Sequence, residues 1–305
     1  MKLSVCTLAH GRDAHLANLV RGLSQGSLAP DELVIAVMQD RVYDLPETPF
    51  PVQQVLLGSR GIPLAQARNR AAHEARGEAL VFLDVDCIPA ADCVADYARL
   101  LPHRAGVLMG EVAYLPKGAT ASGIDYDRFE REGIQHSERR GPPEHAAAEL
   151  CADYRCFWSL NFAMSAADFA RTGGFDESFV GYGGEDTDFG RTVATKDMPI
   201  WWVRGAKAYH QYHPHHMPPV HHLDSVIANA HRFRDKWGEP TMQHWLRAFV
   251  LMGLAERRGD NWVKLREPEE HDLALTRQQS DAPYASSAAV LEWLEERAAS
   301  EPLMA

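Results

Sequence analysis

The sequence predicts an α/β fold: a mostly parallel central sheet flanked by helices, followed by a C-terminal helical extension. Three observations predict it. Short apolar runs rich in β-branched residues alternate with helix-period segments through the first ninety residues. The helical segments are long enough to carry the chain back between parallel strands. Carboxylates stand just past two of the runs, where open α/β sheets bind their ligands: Asp40 after the second, Asp84 and Asp86 after the fourth.

Taken in order, residues 3–8 (LSVCTL) predict a buried strand, 13–22 a helix, and 32–38 (ELVIAVM) a second strand, which completes a βαβ unit. A proline-rich loop leads to a third strand at 52–57. Residues 63–76 (PLAQARNRAAHEAR) predict a helix, with proline near its start and Gly77 just past its end. The run 78–83 (EALVFL) is the next buried strand. From 115 to 150 the chain turns polar and is punctuated by glycine and proline, which predicts a long excursion or a mobile loop over the site. Order returns at 153–165, with a helix at 166–172. Residues 221–256 read as helical, and an amphipathic helix at 290–299 closes the chain. The expected domains are 1–220, carrying the site, and 221–305, the helical extension.

Composition narrows the function classes. The chain has 305 residues, 46% hydrophobic and 24% charged, enough for a large core. Its formal charge of −11 argues against binding nucleic acid or an anionic membrane, while leaving room for a local phosphate pocket. No signal-like start and no long apolar run stand in the sequence, so a cytoplasmic location is expected. Five cysteines without a paired CxxC pattern predict buried reduced thiols; a Cys151–Cys156 bridge stays open.

Four groups carry candidate chemistry. Asp84-Val85-Asp86 places two carboxylates at the mouth of the sheet, where they can hold Mg²⁺ or Mn²⁺ against a ligand's phosphates if the chain leaves extended geometry there. In VGYGGEDTDFG (residues 180–190), glycines release the backbone and present Glu185 and Asp186, one of them a candidate general base. The same acids, with Asp188, also suit a helix N-terminus, and both readings stay open. Among the histidines from His210 to His222, one joining the Asp84/Asp86 metal is favoured over a separate zinc site. Arg68, early in the helix at 63–76, can reach a diphosphate or the carboxylates. Trp158 and Tyr182 offer aromatic faces for a sugar or base, whereas Trp201 and Trp202 read as a core strand.

The succession SVCTLAHGR, VMQD, LAQARNRA, FLDVD and GGFDESFVGYGGEDTDFG resembles a family 2 glycosyltransferase of the GT-A fold. Its second half is similar to the galactosyltransferase and N-acetylgalactosaminyltransferase group, whose motif reads Gly-Trp-Gly-Gly-Glu-Asp; Tyr182 stands here for the tryptophan. The resemblance covers residues 2–216. It implies inverting transfer of galactose, N-acetylgalactosamine or a related hexose from a UDP-sugar to a hydroxyl acceptor, with Mn²⁺ or Mg²⁺. By that resemblance Asp186 is the base and Glu185 its neighbour. Thr7, Ala9, Arg12, Asp40, Arg68, Asp84 and Val85 hold the donor, and Asp86 with His210 or His213 holds the metal. Trp158, Tyr182, Gly183 and Gly184 meet the acceptor. A saccharide or another hydroxyl compound suits as acceptor, and homo-oligomerisation stays open. A sugar-nucleotide-binding scaffold without turnover and a nucleotidyltransferase are the alternatives.

Overall fold

A computed structural model describes residues 1–58, 62–136, 139, 141–278 and 287–300. The chain divides into two compact units. The first comprises Met1–Ser178 and Glu185–Tyr212; the second comprises Phe179–Gly184 and the chain from His213 onward. The segment Phe179–Gly184, expected inside the N-terminal domain, thus packs with the second unit, and the division falls at 212/213 where the sequence suggested 220/221.

In the first unit the elements run β1 (Leu3–Ala9), α1 (Asp13–Gln25), β2 (Glu32–Val37), β3 (Val52–Leu56), α2 (Leu64–Glu74), β4 (Ala79–Leu83), β5 (Cys87–Pro89), α3 (Cys93–Leu100), β6 (Val107–Met109) and β7 (Val112–Tyr114). They continue with α4 (Tyr126–Glu132), β8 (Ile134–Gln135), β9 (Ala148–Leu150), β10 (Asn161–Ser165), α5 (Ala166–Thr172), α6 (Glu185–Thr195), β11 (Ile200–Val203) and β12 (Ala208–His210). The main sheet has the order β3-β2-β1-β4-β10-β6-β11-β9. Four of its seven pairings are parallel, and β10 runs antiparallel to both of its neighbours.

Strand alternation builds two cores from one sheet, because successive side chains leave a strand on opposite faces. Val5, Leu33, Ile35, Val37, Val81 and Leu83 face α1 and α3, which contribute Leu16, Leu19, Leu23, Val94 and Tyr97. Cys6, Leu8, Val34, Ala36, Leu80 and Phe82 face the other way, onto Ala65, Ala67 and Ala71 of α2 and onto Phe189 and Val193 of α6. The alanines of α2 let that helix lie close to the sheet and carry Arg68 into the interior.

The chain leaves β1 toward β2 and β3, then crosses back to place β4 on β1's other side. This reversal opens a crevice past the carboxyl ends of β1 and β4, the position at which such sheets bind ligands. Asp84 and Asp86 stand there.

Residues 115–150 correct an expectation. In place of a mobile excursion the described part folds: the Asp125 side chain caps α4 by accepting from the Arg128 N–H, Phe129 is buried, and β9 pairs with β11 at the edge of the main sheet. The polar composition hid this because one aromatic, Phe129, anchors the stretch against Ile88, Leu115 and Tyr209. Residues 59–61, which include the glycine loop ahead of α2, lie outside the described residues, as do residues 137, 138 and 140 of the charged cluster and 279–286 of the tail.

The second unit holds α7 (Leu223–Trp237), α8 (Gln243–Leu251), β13 (Ala255–Arg258), β14 (Asn261–Lys264), α9 (Glu270–Thr276) and α10 (Ser287–Ser300). Residues 221–256, read as helical, therefore resolve into two helices and the start of a hairpin. Among the described residues, no helix is long and apolar enough to cross a membrane. All five cysteines are free thiols.

Candidate active site

A turn separates the two carboxylates of the Asp84-Val85-Asp86 motif. The Cys87 N–H donates to the Asp84 carbonyl at 2.9 Å, so the chain does leave extended geometry where β4 ends. Asp84 then faces α2, where Arg68 Nη2 donates to its Oδ1 at 3.0 Å. Asp86 is buried and takes a different set of partners. The guanidinium of Arg12 pairs with one of its oxygens, and His210 Nε2 lies 3.4 Å from the other. Register explains the histidine: β12 pairs antiparallel with β5 so that His210 stands opposite Cys87, next to Asp86. Gln211 locks this junction, donating its N–H to the Asp86 carbonyl at 2.7 Å and its side-chain amide to the His15 carbonyl at 3.1 Å.

Glu185 and Asp186 open α6 with Asp188, so the helix-start reading holds. Both of the first two converge on Arg68: its Nη1 lies 3.5 Å from Glu185 Oε1 and 3.9 Å from Asp186 Oδ1. One buried cation therefore faces three carboxylates from two segments a hundred residues apart. Burial pulls the Arg68 pKa down, but Asp84, Asp186 and Glu185 more than offset this and hold it charged. The negative excess falls on the acids. Burial, and then the Asp186 charge, push Glu185 up to about 8 against the pull of Arg68. Burial raises Asp84 to about 6, with Arg68 opposing and Asp86 and Asp186 adding.

Asp186 is also held from β10's approach. Ser159 donates its hydroxyl to Asp186 Oδ1 at 2.6 Å and its backbone N–H to Oδ2 at 3.2 Å. Ser159 was not legible as a functional residue. It lies two positions before β10, and only the Asn161–Leu83 pairing of β10 with β4 brings it to the site. Arg139 is a second residue that local sequence does not mark. It is buried, donates to the carbonyls of Trp158 (3.2 Å) and Gly110 (3.3 Å), and lies over the rings of Trp158 and Trp202.

Other expected residues stand as follows. Thr7 and Ala9 are buried at the end of β1, where the Ala9 carbonyl accepts from the Met38 N–H and the Thr7 hydroxyl has no hydrogen-bond partner among the described residues. Val85 is buried in the turn. Asp40 is exposed; its neighbour Gln39 ties the β1 and β2 loops, accepting from the Gly11 N–H at 3.0 Å and from the Tyr43 hydroxyl at 3.1 Å. Trp201 and Trp202 do form a strand, half-buried in β11.

Within the second unit, Tyr182 is 39% exposed and stacks on His222 (4.8 Å, 16°) and Trp245 (5.8 Å, 26°). Gly181, Gly183 and Gly184 all have positive φ. A Cβ on Gly181 would sit 2.5 Å from that of Ser225, and one on Gly183 would sit 2.8 Å from Met242 Sδ. The missing side chains at Gly181 and Gly183 make room for Ser225 and Met242, so these glycines also shape the loop. His213 lies three residues past His210, where the second unit resumes.

The donor atoms around Asp86 suit a divalent cation. Burial lowers the His210 pKa, with Asp86 opposing, which favours the neutral imidazole beside a carboxylate. An oxygen and a neutral imidazole nitrogen are ligands that Mn²⁺ accepts.

Residues 145–216 match the family described as the N-terminal domain of galactosyltransferase, a stretch that includes Trp158, Ser159, Glu185, Asp186, His210 and His213. Validoxylamine A glucosyltransferase of Streptomyces hygroscopicus subsp. limoneus is 27% identical over 254 residues, covering 76% of this chain and 56% of that protein. The counterpart from subsp. jinggangensis is 26% identical, covering 76% and 60%. The chain thus spans little more than half the length of these relatives. Among solved structures, GalNAc-T7 with UDP, GalNAc and Mn²⁺ aligns over 99% of this chain and 58% of its own, with a TM-score of 0.56 and 15% identity. S. aureus TarS 1-349 in complex with UDP-GlcNAc aligns over 88% and 68%, with a TM-score of 0.54 and 14% identity. The fold is GT-A. This GT-A chain resembles the galactosyltransferase group.

The raised Glu185 pKa has a measurable consequence. Between pH about 4.5 and about 8 the unfolded chain has released the Glu185 proton while the folded state retains it, so stability falls as pH rises through that window. Asp84 contributes in the same direction only up to about pH 6. In the presence of chelator, Glu185→Gln is expected to flatten the urea-midpoint profile between pH 6 and 8. An unchanged slope there would reject the buried neutral carboxyl.

Proposed function

We propose that this chain is an inverting, metal-dependent glycosyltransferase that moves a hexose from a UDP-sugar to a hydroxyl acceptor. The observation that carries the reading is the convergence of Asp84, Glu185 and Asp186 on the buried Arg68: a strand-end motif and a helix-start motif share one cation. A scaffold needs no proton acceptor beside a donor site. Support also comes from the galactosyltransferase match, from the name glucosyltransferase on both curated relatives, and from the UDP and UDP-GlcNAc bound by the structural neighbours. The donor hexose is galactose, N-acetylgalactosamine or a related sugar, with glucose included by the relatives' names.

In this mechanism residues 7–9, Arg12, Asp40 and Val85 border the nucleotide, and Asp84 contacts the ribose or sugar. Asp86 and His210, with His213 three residues along the chain, hold Mn²⁺ or Mg²⁺, which supplies charge neutralisation for the diphosphate. The acceptor hydroxyl attacks the anomeric carbon from the side opposite the diphosphate. Its oxygen forms the new bond, the old bond's electrons leave with the diphosphate, and its proton passes to Asp186. Arg68 adds positive potential where negative charge gathers. Glu185, protonated below about pH 8, donates a hydrogen bond to the bound sugars. Trp158 and Tyr182 are each an aromatic face for the acceptor, and the stack on Tyr182 stiffens that ring.

Incubation of the protein with Mn²⁺ and a panel of UDP-, GDP- and dTDP-hexoses, followed by an acceptor screen, tests the reading. Release of free nucleoside diphosphate with a UDP-hexose is the expected result. Pyrophosphate exchange would point to a nucleotidyltransferase, and binding without turnover to a scaffold; either outcome overturns the proposal.

A further inference from the structure

We propose that Ser159 is a positioning residue for the proton-accepting carboxylate of Asp186. This rests on Asp186 being the base. Ser159 is buried and gives both of its donors to one side chain, the hydroxyl to Oδ1 at 2.6 Å and the backbone N–H to Oδ2 at 3.2 Å. Two bonds to two different oxygens fix the carboxylate's plane as well as its position, whereas a single bond would leave it free to turn. The segment that carries Ser159 is itself anchored on both sides. Ahead of it the Trp158 carbonyl accepts from Arg139, and behind it the Leu160 carbonyl accepts from the Asp84 N–H at 3.0 Å. Residues 158–160 therefore join the strand-end motif to the base through one short, rigid stretch.

The charged groups around Asp186 come from every neighbouring element: Arg68 of α2, Asp84 after β4, Glu185 of its own helix, and Arg139. Arg68 stands 3.9 Å away and is shared among three acids, so it supplies charge without fixing direction. Direction is left to Ser159. Removing the hydroxyl leaves the carboxylate with one of its two bonds to Ser159, and it is less well aimed.

The test uses the full chain. With Mn²⁺ and the panel of UDP-hexoses, UDP release by Ser159→Ala is expected to show kcat about 10- to 100-fold lower with an unchanged donor KM, and Ser159→Thr, which keeps a hydroxyl, to recover most of that loss. Adding Ser159→Ala to Asp186→Asn should cost nothing further, since the serine acts through the aspartate. Near-normal kcat in a folded Ser159→Ala variant, or failure of Ser159→Thr to recover the loss, overturns the inference, as does a full multiplicative loss in the double variant. Near-normal turnover of Asp186→Asn alone is a different failure, that of the base assignment itself.

Discussion

Asp186→Asn is expected to lower turnover by at least about 10²-fold, the lower end of what general-base assistance contributes, while donor binding with Mn²⁺ stays intact. The substitution keeps the side chain's shape and leaves Arg68 with Asp84 and Glu185 as partners. In the proposed mechanism it removes the proton acceptor. It also removes one of two acceptors: Ser159 donates to both carboxylate oxygens, so one of its donors now meets an amide NH₂. That lost bond costs about 1 kcal/mol of stability, too little to unfold a domain of this size. Calorimetric titration of UDP in Mn²⁺ and a urea midpoint separate the two effects. Near-normal turnover would take Asp186 out of the base role, and loss of UDP binding would show that it serves the donor.

Asp86→Ala is expected to abolish metal-dependent binding of UDP-sugars, bringing affinity in Mn²⁺ down to that in chelator. Asp86 is the carboxylate on which Arg12 and His210 converge, and its burial makes it the most constrained oxygen donor of the motif. Without it the imidazole of His210 faces a guanidinium, a setting that repels a divalent cation. Asp86→Asn, closer in shape, should weaken the metal response without disturbing the β5–β12 pairing. Undiminished affinity of the alanine variant for UDP plus Mn²⁺ would sink the assignment. The two substitutions are expected to fail differently, one in chemistry and the other in binding, and that difference distinguishes a transferase site from a general anionic cleft.

Much of the fold was legible because its signals are local. The strands β1, β2 and β4 announce themselves by apolar runs of strand length, and α2 by its alanines, its proline start and the glycine past its end. The acids of the site could be read as well, since Asp84 and Asp86 follow a buried strand and Glu185 and Asp186 follow glycines. The expectations that changed depend on distant partners. The stretch 115–150 folds through one buried phenylalanine and a strand that pairs with β11. Gly183 and Gly184 take their shape from Met242, Trp245 and Asn229, fifty or so residues on in the chain.

By itself, then, the sequence determined the α/β class, the order of the first strands and helices, and which carboxylates stand at strand ends or behind glycines, because periodicity and strand-end position are written in neighbouring residues. Tertiary structure alone decided that Arg68 is the shared cation of three acids and that His210 stands beside Asp86. It also decided that an unremarkable serine holds Asp186. The reason is physical: these relations are set by the register of β12 on β5 and of β10 on β4, and a pairing between strands some eighty to a hundred and twenty residues apart depends on the whole core that aligns them.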